Sequence, residues 1–191
     1  MRIVFIRHGT TQSNIEKRFV GITDDPLCDF GIRELCANVQ KKIYPEVSTV
    51  ISSPLQRCIQ TAELIYPDKS LCLDTDLQEC HFGDFEGKNH NDLCNNADYQ
   101  RWLSAEERTG FPNGETYAEF KERCIKGVLR NIERFKECDS LAFVTHGGTI
   151  RTVLETLARP KKGFYDYILQ NGCGYLCSFA NGILQVTEEI Q

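Results

Sequence analysis

At 191 residues, 41% of them hydrophobic and 26% charged, the chain has the size and composition of one well-buried globular domain and none of the bias of a disordered or fibrous protein. A net charge of −5 and an isoelectric point near 5.4 argue against a broad footprint for nucleic acid or an anionic membrane, so any phosphate site must be small and local. Ten cysteines scattered without a Cys-x-x-Cys pair read as free thiols, most of them small buried hydrophobes in a reducing compartment. Met1 runs straight into a strand-like stretch with no basic n-region, and no apolar run approaches bilayer length, which sets the expectation of a cytoplasmic protein.

In chain order, the first element is a strand over IVFI at 3–6, a continuous apolar run of the kind covered on both faces of a parallel sheet. It stops abruptly at Arg7-His8-Gly9. Asp29 then stands before a helix in which Ile32, Leu35, Cys36, Val39 and Ile43 recur at helical spacing. TVIS at 49–52 is a second strand, and Ser53 followed by Pro54 predicts an N-cap and first helical position for LQRCIQTAELIY. The polar, Asn- and Glu-rich segment 77–115 reads as an insertion lying over the sheet like a lid, with one short helix around 98–107. A long helix over about 116–136 carries the stripe Phe120, Cys124, Val128 and Ile132, and LAFV at 141–144 is a third strand leading into a further helix, TIRTVLETLA. The tail alternates around Asn181-Gly182, the strongest short hairpin signal, and places Cys173 and Cys177 on one strand face. Together these elements predict a single α/β domain over 1–191: a three-layer α/β/α sandwich with a mostly parallel central sheet and an antiparallel edge near the C-terminus.

The chemistry lies where the strands end. LAFV runs into Thr145-His146-Gly147-Gly148, so two strands each deliver a histidine followed by glycine, and glycine lets backbone N–H groups approach a ligand at a helix start. Arg57 falls on the first turn of the helix after TVIS. Parallel strands bring all three segments to one C-terminal edge, where two histidines, two arginines and helix-start amides suit a phosphate group.

With those residues the sequence resembles the histidine phosphatase, or phosphoglycerate-mutase-like, superfamily over nearly its whole length. The resemblance is carried by Arg7-His8-Gly9-Thr10 with Asn14, Arg18-Phe19-Val20-Gly21, Pro26-Leu27 with Gly31, and Ser52-Ser53-Pro54 with Arg57, Thr61 and Ala62. It continues through Leu77-Gln78-Glu79 with Phe82-Gly83 and Glu86-Gly87, then Gly114-Glu115-Thr116, then His146-Gly147-Gly148, seven blocks in order. The resemblance implies two-step phosphoryl transfer with His8 as the nucleophile and a phosphohistidine intermediate. It implies that Arg7, Arg57 and His146 grip the phosphoryl oxygens, that Asn14 and the Gly147 amide complete the cradle, that Arg18 lies near the pocket mouth to meet a second anionic group, and that Gly21 is among the substrate-binding residues. Glu79 is implied as proton donor to the leaving alkoxide and then base for water, set against a purely structural ion pair with Arg57 or Arg7. No metal and no cofactor are implied, since cationic side chains supply the electrostatics.

Other residues read more plainly. His81 and His90 are taken as surface or supporting groups, Lys161 and Lys162 as solvated charges, and Trp102, Tyr99 and Phe85 as core rather than cleft wall. Glu115 belongs either to a helix start or to the border of the pocket. The segment 77–115 lacks the added basic, proline-rich stretch of bisphosphate-primed phosphoglycerate mutases, which makes water the expected acceptor and a small phosphorylated metabolite the expected partner. The blocks at 82–93, 112–124 and 171–179 are most similar to α-ribazole phosphatases; a cofactor-dependent phosphoglycerate mutase and a non-catalytic phospholigand-binding protein are the alternatives. A homodimer through an edge strand is compatible with the sequence, which singles out no interface.

Overall fold

The computed structural model describes residues 1–105 and 108–191. Its elements begin with strand β1 (Arg2–Arg7), the one-turn helix α1 (Gln12–Ile15), helix α2 (Asp29–Gln40), strand β2 (Thr49–Ser52), helix α3 (Gln56–Ile65) and strand β3 (Leu71–Leu73). Helices α4 (His90–Leu93), α5 (Ala97–Ser104) and α6 (Tyr117–Arg134) follow, then strand β4 (Ser140–Thr145), helix α7 (Gly147–Leu157) and strands β5 (Gly174–Ala180) and β6 (Ile183–Ile190). The strands form one sheet in the order β3-β2-β4-β1-β5-β6; the first four are mutually parallel, and β5 pairs antiparallel with both β1 and β6. Asn181 and Gly182 both have positive φ, 52° and 76°, as a two-residue hairpin of matching twist requires.

Period-two alternation divides the central strands between two cores. Ile3, Phe5, Ile51, Leu141 and Phe143 face α6 and α7, whose Phe120, Cys124, Val128, Ile150 and Val153 complete the layer. Val4, Ile6, Val50, Ala142 and Val144 face the opposite way onto Leu35 of α2 and Cys58, Ala62 and Ile65 of α3. Helices therefore cover both faces, which is why these strands read as unbroken apolar runs. Phe5 and Phe143, directly paired in register, stack with ring centroids 5.4 Å apart. A third, smaller cluster built on Phe85, Leu93 and Tyr99, with Phe19, Phe82, Trp102 and Phe111 against it, gives the insertion a core of its own. Phe85 and Tyr99 are buried there as expected.

Several local expectations are corrected. The helix after TVIS starts at Gln56 with Leu55 as its N-cap, two residues beyond Ser53, whose hydroxyl lies 2.8 Å from His146 Nε2 and 3.5 Å from the Leu55 N–H that it accepts from. Helix α2 is capped by Cys28, whose Sγ accepts from the Gly31 N–H, so Asp29 is its first residue. The insertion holds two short helices and a 3₁₀ turn over Gly83–Phe85 where one helix was expected; of the segment 98–107, residues 106 and 107 lie outside the described residues. Strand β3 was not foreseen: LCL is three residues long and only half covered, too short for a periodic signal. Cys173 stands before β5 rather than in it, half-buried, while Cys177 is buried, and all ten cysteines are free. Among the described residues no helix is long and apolar enough to cross a membrane.

Candidate active site

The register Arg7↔Thr145 between β1 and β4 places the next residue of each strand, His8 and His146, side by side. Their rings stand edge to face with centroids 5.3 Å apart. His8 Nδ1 lies 2.7 Å from the Gly9 carbonyl oxygen, which can only accept, so Nδ1 carries the proton and the Nε2 lone pair is left free. Burial first, and then the Arg57 and Arg7 charges, hold His8 well below its ordinary value, so the imidazole is neutral. His146 is likewise held well down by burial and by Arg57.

His146 is positioned by groups that the sequence reading did not connect to it. Its Nε2 is 2.8 Å from Ser53 Oγ and 3.5 Å from Cys58 Sγ, which locks the ring from the β2–α3 junction. Burial pushes the Cys58 thiol up to about 12, so it is a packing neighbour and no second nucleophile. Asn171 secures the other side: its Nδ2 donates to the carbonyls of His8 and Gly9 and to Asn14 Oδ1.

Arg57 is fully buried and Arg7 half-buried, and both are mostly committed. Arg57 Nη1 and Nη2 each donate over 2.7 Å, to the carbonyls of Thr23 and Gly21, and Arg7 Nη1 donates over 2.8 Å to the Leu169 carbonyl. The Nε–H of both residues is buried without a partner among the described residues. Two unpaired guanidinium N–H groups flanking a neutral imidazole form a cradle that lacks its acceptor, because leaving a buried donor unpaired costs about 1–3 kcal/mol each.

Glu79 Oε1 accepts from its neighbour Cys80 N–H, and Oε2 accepts over 2.9 Å from the Gly148 N–H in the first turn of α7. No ion pair joins it to Arg7 or Arg57 among the described residues, so the expected structural alternative for Glu79 is not what holds it. Arg123 of α6, which the sequence reading passed over, fixes this loop: it donates to the carbonyls of Asp76, Gln78 and Glu79 and pairs with Glu115.

A cavity of about 320 Å³ opens on this floor of Arg7, Glu79, Gly147 and Gly148, while His8, Arg57 and His146 sit buried behind its lining. Aromatic side chains, among them Phe19, Phe82, Trp102, Phe111 and Phe164, make its walls. Trp102, expected in the core, packs against the small cluster of the insertion and also lines the cleft.

Other expected contacts are placed differently. Asn14 shares a neighbouring recess with Arg7, and its Oδ1 is occupied by the Thr11 and Asn171 donors. Arg18 lines that same recess, and is tied there to Glu16 and Asp92 and to the Gly87 carbonyl. Gly21 is not on the cavity wall. It orients Arg57 through its carbonyl, and a Cβ there would lie 1.9 Å from the Cys80 oxygen. Glu115 faces away toward Arg123 and the His81 N–H, His81 lines an outer groove, and His90 is bonded to the Tyr99 hydroxyl.

The chain matches the histidine phosphatase superfamily (branch 1) over residues 3–188. It is 25% identical over 178 residues to an adenosylcobalamin/alpha-ribazole phosphatase of Salmonella typhimurium, covering 91% of this chain and 88% of that protein. It is 31% identical over 175 residues to phosphoglycerate mutase-like protein 4 of Arabidopsis thaliana, covering 87% and 75%. The fold superposes on the crystal structure of the alpha-ribazole phosphatase from Shigella flexneri with a TM-score of 0.87 at 23% identity, covering 100% of this chain and 96% of that one. With a match that spans the histidine-bearing strands and the hairpin alike, the chain belongs to the histidine phosphatase superfamily.

Proposed function

We propose that this protein is a phosphomonoesterase that hydrolyses a small-molecule phosphate ester through a phosphohistidine on His8. The observation that carries the reading is the pair of buried, partnerless Nε–H groups of Arg7 and Arg57 beside a neutral His8 whose Nε2 is free. An incoming phosphoryl group supplies the missing acceptors and meets the nucleophile in one place. His8 Nε2 attacks phosphorus, a P–N bond forms, and the ester P–O bond breaks as Glu79 gives its proton to the leaving alkoxide. Water then attacks the phosphohistidine while Glu79 takes its proton; phosphate leaves and His8 returns to its starting state. His146, held by Ser53, Arg7 and Arg57 stabilise the charge spread over the equatorial oxygens.

The aromatic walls favour a leaving group with a flat apolar part over the small, doubly anionic glycerate phosphates. α-Ribazole 5′-phosphate, the phosphate ester of a benzimidazole riboside, has that character and is the leading candidate. A phosphate-release panel of aryl phosphate, α-ribazole 5′-phosphate, sugar phosphates, nucleotides and 3-phosphoglycerate with primer tests the reading. Wild-type protein is expected to release phosphate from the ribazole ester fastest, and His8→Ala to lower the rate by at least about 1,000-fold. Equal background release by both proteins would make this a phospholigand-binding protein, and isomerisation of phosphoglycerate without release would make it a mutase.

A further inference from the structure

A third buried guanidinium N–H has no partner among the described residues, and it belongs to a residue of the cavity wall outside the family's phosphate-binding motifs. Arg108 Nη1 is buried with no acceptor among the described residues, in a side chain that lines the aromatic cavity. The rest of Arg108 is held on every side. Its Nη2 donates to both oxygens of Glu155, at 2.6 and 2.7 Å. Its guanidinium carbon stands 4.0 Å from the Tyr117 ring centroid and 4.4 Å from that of Phe164. Tyr117 in turn donates its hydroxyl to Glu155 Oε2 over 2.6 Å.

This assembly fixes one N–H while spending the charge that would come with it. Burial works against ionised Glu155, but the Arg108 and Tyr117 hydrogen bonds outweigh it and hold the carboxyl below its ordinary value, so the Arg–Glu pair is internally neutral. Stacking between two rings leaves the guanidinium little rotational freedom, so its free donor is preorganised. A neutral pair presenting one fixed donor suits an uncharged acceptor such as a ring nitrogen or carbonyl oxygen, and gives little to a second anionic group.

Resting on the phosphatase reading, we infer that Arg108 is a specificity-determining residue whose Nη1–H recognises an uncharged hydrogen-bond acceptor on the leaving group. Glu155, Tyr117 and Phe164 act as its positioning residues. They hold the donor in place without themselves reading the substrate.

The test uses aryl-methylphosphonates, which occupy the phosphoryl cradle and cannot be hydrolysed. Inhibition constants of naphthylmethylphosphonate are compared with those of quinoline and isoquinoline counterparts carrying the ring nitrogen at successive positions. Wild-type protein is expected to bind at least one nitrogen-bearing member about tenfold more tightly than the naphthyl parent, the effect of one well-aligned, preorganised hydrogen bond. Arg108→Lys, which keeps the charge opposite Glu155 and loses the planar fork, is expected to bring that ratio within about twofold. A wild-type ratio near one for every nitrogen position would overturn the proposal, as would a ratio that Arg108→Lys leaves intact. Failure of the phosphatase reading is separate, since neither phosphonate would then compete and no phosphate would be released from any ester. If Arg108→Lys is poorly folded by circular dichroism, Tyr117→Phe, which removes one bond to Glu155 and frees the pair, is expected to lower the same ratio; an unchanged ratio there also overturns the proposal.

Discussion

His8 and His146 are neutral because they are buried against two arginines, and that has a cost that depends on pH. Both are held below the unfolded value near 6.5, so the unfolded chain takes up protons first as pH falls. Their contribution to stability is therefore fully present above about pH 6.5 and is lost below it, at up to about 1.4 kcal/mol per pH unit for each histidine. Urea titrations between pH 7.5 and 5 are expected to show this slope, and a His146→Asn variant to show a shallower one. Glu79 is sensitive to its neighbour in a different way. A Cβ at Gly148 would lie 2.3 Å from Glu79 Oε1, so Gly148→Ala must push the carboxylate off its amide. Kcat is expected to fall roughly 100-fold through this misplacement, while helix α7 persists because alanine is the better helix former. Steady-state kinetics with circular dichroism separates the two effects.

At the scale of elements, α6 does more than cover the sheet. Arg123 reaches from it to the carbonyls of Asp76, Gln78 and Glu79 and to Glu115, so the helix sets the height at which the Glu79 carboxylate stands. Arg123→Met is expected to lower stability by about 2–3 kcal/mol and to lower kcat more than it raises KM, measured by chemical unfolding and by steady-state kinetics. The hydrophobic elements were legible in the sequence because their signals are local: unbroken apolar strands, the four-residue stripe of α6, the Asn-Gly hairpin. Arg123 was not, since on one helix it is an ordinary charged residue, and only the loop packed against α6 gives it a task. The displaced start of α3 has the same origin. Ser53 is a good N-cap by type, but a histidine from a strand distant in sequence competes for its hydroxyl.

At the scale of the whole molecule, an acidic chain brings two of its arginines together at one sheet edge. The net charge is −5, yet Arg7, Arg57 and neutral imidazoles meet at the sheet edge with guanidinium donors that have no partner among the described residues. An oxyanion that fills them stabilises the folded state by mass action. Vanadate or phosphate at about 100 times its dissociation constant is expected to add about 2.7 kcal/mol, a rise in Tm of roughly 5–10 °C by differential scanning fluorimetry, and Arg7→Met to abolish most of that rise.

The sequence by itself determined the α/β class, the parallel strands with their two-sided burial, the hairpin edge, and the family to which His8, Glu79, His146, Arg7 and Arg57 belong. These follow from short-range patterning and from motif order along the chain. Tertiary structure alone decided which nitrogen of His8 is free, that Arg18 is held by Glu16 and Asp92 and the Gly21 carbonyl by Arg57, that Trp102 lines the cavity, and that Arg108 keeps a donor there without a partner among the described residues. Each of those depends on which carbonyl, carboxylate or ring the fold brings within a few ångströms, and hydrogen-bond partners so far apart in sequence leave no periodic trace in it.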